Sequence, residues 1–207
     1  MKKYYISKEL TDKLGVQLNE DGSLPLTSMN CLTFGYMPWR YPGNWFRNIR
    51  QFFRTLTMAW QRITRGYCYW DLFSIDYWHS NMMARALLDF KENAHSYPGK
   101  GAASTPEGWV RILEEIALNF WACDENNEAF LNEYEDVFHE VLDKRMRQET
   151  ESDYGLTITY SDDGITAEDR ANVEKWRDRF RENEEKRNKC KNRAMAKMQE
   201  WYYHLWD

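Results

Sequence analysis

From Asn44 onward, apolar side chains return every three or four positions: Trp45, Ile49, Phe52, Phe53, Leu56, Trp60 and Ile63, with Arg47, Arg50, Arg54 and Arg62 between them. That period predicts an amphipathic helix ending near Gly66, its aromatic stripe turned into the core. A second helix is predicted after Asp71 as N-cap, with Leu72, Ile75, His79, Met82, Met83, Ala86, Leu87 and Phe90 along its inner face. The run Thr105-Pro106-Glu107 is a strong helix start. Thr can cap, Pro at the first helical position loses no hydrogen bond, and an early acid suits the helix dipole. Trp109, Ile112, Leu113, Ile116 and Phe120 then form the buried stripe of the third helix. A fourth is predicted over residues 127–147, from Phe130, Leu131, Tyr134, Val137, Phe138, Val141 and Leu142.

The flanks read differently. Residues 1–43 are irregular, with one short helix in "SKELTDKLG" between Ser7 and Gly15. "RYPG" at 40–43 and "SYPG" at 96–99 both read as Pro-Gly turns of type II. The alternation in "YGLTITYSDDG" predicts a short hairpin near 154–164. Thr166 and Asp169 resemble a capping box, although Glu or Gln is the usual partner. From Ala167 to about Trp206 neither Pro nor Gly occurs. Val173, Trp176 and Phe180 anchor one end of this long helix, and Ala194, Met198, Trp201, Tyr202 and Leu205 the other. The charged "RENEEKRNKCKNR" between them predicts a solvated middle. The expected fold is mainly α: a helical core over 44–122, a charged excursion over 123–194 with a short β-hairpin, and a C-terminal segment, 195–207, packing back on the core.

Composition adds one demand. Hydropathy is low, yet the 207 residues include 10 Trp, 13 Tyr and 10 Phe, so rings must supply much of the core. The net charge of −5 is spread over mixed acids and bases, which gives no global field toward DNA or an anionic membrane. Cys31, Cys68, Cys123 and Cys190 form no C-x-x-C pair and read as reduced thiols of a cytoplasmic protein. No leader-like or membrane-spanning run occurs, so a membrane is not among the expected partners.

Several pieces resemble a known group. "WQRITRGYCYWDLFSIDYWHSNMMARALLDF", "SYPG", "STPEGWVRILEEIALNF" and the final "YYHLWD" are similar to a widespread set of phage and prophage proteins. Those share an Arg-Gly-aromatic turn, a D-x-W-x-x-D helix, a G-Y-P turn, a T-x-E-E-W-x-x-I-L helix and an L-W-D ending. The resemblance covers roughly residues 60–122 and 195–207 and implies phage origin; it carries no assigned chemistry. Departures are Cys68 and Tyr69 where small or acidic residues are commoner, Phe73 in place of Trp, and Gly108 in place of an acid. A glycine in a first helical turn costs about 1 kcal/mol against Ala.

Candidate chemistry is sparse. The loop "HSYPGKGAASTPEGW" fails as a phosphate loop, because Ala94 and Gly101 stand where Gly and a hydroxyl are needed. Lys100 beside the helix start at Thr105 leaves a weaker anion site. Asp76/His79, Glu92/His95 and Asp136/His139 share helix faces, but without the inward Glu residues of a di-metal bundle, and no metal or cofactor is expected. Cys68 reads as a buried apolar residue rather than a nucleophile. Rings and guanidinium groups near position 40 suit a nucleotide, so Trp39, Arg40, Trp45, Arg47 and Lys100 form the expected ligand site. The long helix offers Arg177, Arg181, Glu184, Arg187 and Lys191 as a polar face for a protein partner. The resulting expectation is a phage-encoded, non-enzymatic counter-defence binder in the host cytoplasm. It would occlude a host defence protein or sequester a nucleotide second messenger, and homodimerisation through the long helix is open to it. A phage assembly accessory protein and a metal-dependent enzyme are the alternatives.

Overall fold

A computed structural model describes residues 2–25, 41–72, 75–124, 127, 129–152, 155–162 and 164–205. The protein is mainly α-helical, with a long C-terminal helix and one antiparallel hairpin. In chain order the helices are α1 (Lys8–Leu14), α2 (Gly43–Arg65), α3 (Ile75–Asn93), α4 (Pro106–Cys123), α5 (Glu135–Arg145) and α6 (Ala167–Trp201). Strands β1 (Met146–Ser152) and β2 (Gly155–Tyr160) lie between α5 and α6. Two compact units result: Met1–Ala129 with Lys191–Asp207, and Phe130–Cys190.

In the first unit α4 is the central helix. Its predicted stripe is buried, and so are Ala117, Leu118, Trp121 and Ala122. An apolar helix covered on several sides needs no polar face. Thr105 caps it as the sequence predicts, its Oγ1 accepting from the Gly108 amide at 3.1 Å, with Pro106 in the first turn. Gly108 answers a question left by the sequence, because a Cβ there would sit 2.2 Å from the Ala102 carbonyl oxygen. The preceding loop is a tight turn in which Gly99 donates to Ala103 O and Ala103 to Lys100 O. Gly99 has the positive φ of 68° that its Pro-Gly turn requires. "RYPG" differs: Gly43 begins α2 without a positive φ, and Pro42 is already in helical conformation.

Helix α3 packs along α4 but on a face rotated from the predicted one. Ser80, Asn81, Ala84, Leu87 and Leu88 are buried, whereas Leu72, Ile75 and Ala86 are exposed. The cause is a polar cluster that no apolar period reveals. The Asn81 amide donates to the Asp124 carboxylate and to Tyr77 O, and the buried Asn127 amide donates to Trp121 O at 2.9 Å. Partners of this kind let polar groups be buried without loss. Asp71 is not the N-cap of α3: it lies in a 3-10 turn, Tyr69–Leu72, and faces α2 instead. Near the end of α6, Trp201 packs against Trp109 with ring centroids 5.6 Å apart, and Lys197 pairs with Glu115 at 3.0 Å.

The second unit corrects two expectations. Residues 127–147 are not one helix; α5 begins only at Glu135, after a turn in which Asn132 Oδ1 accepts from the Tyr134 amide. The hairpin starts earlier than the alternation suggests, because the polar "MRQETES" pairs as β1 with β2 in the register Glu149 to Ile158. Thr166 and Asp169 form a reciprocal capping box, the amide of each accepted by the other's side chain at 2.9 and 3.1 Å. Phe138 stacks on Trp176 with centroids 3.8 Å apart.

The middle of α6 is also not solvated all round. Val173, Trp176, Asn183, Arg187, Cys190, Ala194, Lys197 and Trp201 are buried or half-buried and lie on one stripe with steps of three and four, interrupted only at the exposed Phe180. Asn183 is 2% exposed, its amide shared between Phe130 O and Leu131 O at 3.1 and 3.2 Å.

Candidate interaction surface

Helix α2 reverses the expected orientation. Its 23 residues span about 34 Å at 1.5 Å per residue. Among its residues only Asn48 and Met58 are buried. Phe46 is 75% exposed, Phe53 62%, Trp60 66% and Ile63 77%, with Trp45, Ile49, Phe52 and Leu56 close to half. Successive residues advance about 100° around a helix. The exposed rings and aliphatic chains therefore fill one continuous arc of about 120°. The covered positions, Asn48, Gln51, Thr55, Met58 and Arg62, lie roughly opposite. The side chains that the period assigns to the core face outward, and the polar flank faces in.

What fixes this flank is local. Arg62 reaches Asp71 through Nε at 3.1 Å and through Nη2, and Asp71 also accepts from the Cys68 amide at 2.6 Å. Gln61 accepts from the Tyr69 amide at 3.0 Å. Gly66, with φ of 81°, ends the helix and turns the chain into this contact. Burial pushes the Asp71 carboxyl up, but the Arg62 guanidinium and the Cys68 amide outweigh it and hold the group below the usual carboxylate range. A buried ion pair of this geometry orients α2 through its polar side.

The electrostatics of the exposed side are one-signed. Arg47, Arg50, Arg54, Arg62 and Arg65 are the charges of α2, which has no acidic residue. Arg47, Arg50, Arg54 and Arg65 are exposed. No ion pair among the described residues engages those four. By spacing they lie between the apolar arc and the covered flank, with Arg50 nearest the arc. A contiguous exposed apolar area of this kind marks an interaction surface.

The residues expected to form a ligand pocket are not brought together. Trp45 and Arg47 are both exposed on α2, but two positions apart they point to widely different sides of it. Lys100 lies over the Trp201 ring, 5.8 Å from its centroid. Trp39 and Arg40 lie outside the described residues. On α6, Arg177 pairs with Glu174 at 2.5 Å and Arg181 with Asp178 at 3.4 Å, while Glu184 and Lys191 are exposed. Arg187 is half-buried on the covered stripe, so it is not part of an open polar face.

Other candidate chemistry stays dispersed. Asp76 is exposed, and the His79 ring meets Phe120 edge-on at 5.5 Å. His139 faces Glu135 at 3.4 Å rather than Asp136. No group of three or more ligating side chains occurs among the described residues. Cys68 is 1% exposed and Cys190 is buried, while burial pushes the half-buried Cys123 thiol up. No family model, curated protein or solved structure matches the chain.

The apolar stripe of α2 and its arginines were visible in the sequence; the outward direction of the stripe was not. One signal was present, since α2 has basic residues and amides but no acid, unlike the mixed charge of α6.

Proposed function

We propose that this chain is a phage-encoded, non-enzymatic binding protein that acts on the infected host by contact, with the exposed face of α2 as its working surface. One observation carries the reading: seven large apolar side chains, Phe46, Ile49, Phe52, Phe53, Leu56, Trp60 and Ile63, stand outward on a helix otherwise held by its polar flank. Leaving them in water costs hydrophobic free energy that a partner would recover. The phage setting rests on the sequence resemblance. In that setting the role is counter-defence in the host cytoplasm, where occluding a component needs a surface and no catalytic constellation.

The test is genetic. A phage in which Phe53 and Trp60 are replaced by Glu should plate poorly on a host carrying the targeted defence and normally on one lacking it. Unchanged plating on both hosts would remove the reading, and equal loss on both would point to an assembly role instead. Both residues are exposed, so the protein level in infected cells should stay constant.

A further inference from the structure

We infer that the α2 face is covered by a second copy of this chain, the two α2 helices lying antiparallel. The inference rests on the reading of α2 as a contact surface and names what meets that surface in the free protein. Its basis is a repeat of seven. Ile49, Leu56 and Ile63 recur at that interval, as do Trp45, Phe52 and Ala59 four residues before them and Phe46, Phe53 and Trp60 three residues before them. These are the a, d and e positions of consecutive heptads, the pattern of a helix that packs lengthwise against another helix. None of these positions carries a charge. The exposed area is also sufficient. Rings that are half to three-quarters exposed, with Ile49, Leu56 and Ile63, leave roughly 850 Å² of apolar surface open on α2. Covering two thirds of it on each of two copies buries about 1,100 Å² in all, above the roughly 1,000 Å² that a specific interface needs.

The same repeat sets the orientation. Turned end for end about its midpoint, Arg54, α2 places Ile49 opposite the second copy's Ala59, Leu56 opposite its Phe52 and Ile63 opposite its Trp45. Each layer then joins a branched aliphatic chain to a residue of different size or shape, which lets the layers interdigitate. The aromatic flank closes on itself, with Phe53 meeting its own counterpart at the two-fold axis and Phe46 near the second copy's Trp60. A parallel pair would set that flank beside Asn48, Thr55 and Arg62, which are covered within the same chain, Arg62 by its pair with Asp71. Arg47, Arg54 and Arg65 stand about 140–160° around the helix from the centre of the arc, outside the contact. Arg50, nearer the arc, lies about 12 Å along the axis from its counterpart, beyond a Debye length at physiological salt. Nucleic acid would leave Ile49, Leu56 and Ile63 without apolar cover, and no helix among the described residues is long and apolar enough to cross a membrane. The homodimer that the sequence leaves open to the long helix thus moves to α2, because the α6 stripe is covered. One face cannot serve a second copy and a host component together, so the dimer is the resting form and the host component replaces one copy.

The experiment is sedimentation equilibrium of the full chain up to about 100 μM, with hydroxyl-radical footprinting of the monomer at low concentration. Wild type should dimerise with a Kd of about 10 μM or tighter. Phe53→Glu and Phe53→Lys should each weaken association by about thirtyfold or more, as the loss of a central ring does, while far-UV circular dichroism is unchanged. Mixed in equal amounts, the two variants should associate again, since position 53 faces itself across the axis only in the antiparallel pair. A wild type that stays monomeric throughout, with Phe53 and Trp60 open to radicals, would overturn the dimer and leave the contact surface standing. A dimer indifferent to Phe53→Glu would overturn the pairing through α2, and variants that do not associate on mixing would overturn its antiparallel form. Protection of Phe53 and Trp60 from radicals in the monomer would overturn both readings together.

Discussion

Replacing Gly108 by Ala separates local propensity from tertiary packing more sharply than any other single change. The residue lies in the first turn of α4, where Ala is the better helix former by about 1 kcal/mol. On that ground the variant should be more stable. Geometry gives the opposite sign. The new methyl would lie 2.2 Å from Ala102 O and 3.3 Å from both Ala102 C and Thr105 Oγ1. An ordinary carbon–oxygen contact is about 3.3–3.6 Å, so the Ala102 carbonyl must move by about 1 Å. It is poorly placed to do so: its neighbour Ala103 is fully buried and bonded to Gly99 and Lys100, and the Gly101 carbonyl accepts from the Ser104 amide. Overpacking of this size costs about 1–3 kcal/mol, and a shifted start would also weaken the Thr105 cap. We expect a net loss of about 2 kcal/mol, seen as a fall of roughly 4–8 °C in the calorimetric Tm of the transition that includes α4. Glu107→Ala, which removes only a charge near the helix start, should cost a few tenths of a kcal/mol. A Gly108→Ala protein melting at or above wild type would refute the reasoning, because propensity would then have won.

Four further outcomes follow from named contacts. Asp71→Asn should destabilise by about 2–3 kcal/mol at neutral pH, since it leaves the partly buried Arg62 without its carboxylate. The folded-state pKa of Asp71 is depressed, so its contribution is complete above the unfolded value near 4 and is lost as pH falls through the folded one. The gap in urea midpoint between wild type and variant should therefore close in acid. Asp169, drawn down to about 2 by Lys144 and by Thr166, follows the same sign, with its share lost between the ordinary carboxylate value and about pH 2. Thr166→Ala, which deletes one arm of that capping box, should cost about 1 kcal/mol and speed amide exchange in the first turn of α6. Asn183→Ala should cost about 2 kcal/mol by leaving the carbonyls of Phe130 and Leu131 without their donor, and Asn183→Leu should not rescue it.

Local signals with a steric basis transferred well from sequence to structure. Gly15 and Gly66 stop α1 and α2 with positive φ, Thr105 and Pro106 start α4, and Thr166 with Asp169 starts α6. Each depends on neighbours within a few residues. Failures arose where distant partners decide. "MRQETES" is a strand only because β2 pairs with it, and its own pattern carries no period of two. Asn81 and Asn183 are buried because an acid or carbonyl more than 40 positions away accepts from them. As for the candidate surface, its residues were legible as a stripe and its arginines as a basic set. Their assignment to the core rested on the rule that an apolar face turns inward, which presumes a neighbour to receive it.

The order of residues alone determined that this protein is helical, where most of its helices start and stop, and that α4 would be buried. Capping, backbone sterics and a strong apolar period act over a turn or two of chain and need nothing else. Only the tertiary structure decided which way each helix is rolled. For α2 the Arg62–Asp71 pair and the bonds to Cys68 and Tyr69 hold the polar flank, and the rings are left outward. A hydrophobic face has no preferred direction until something competes for the opposite side, and here a buried ion pair won that competition.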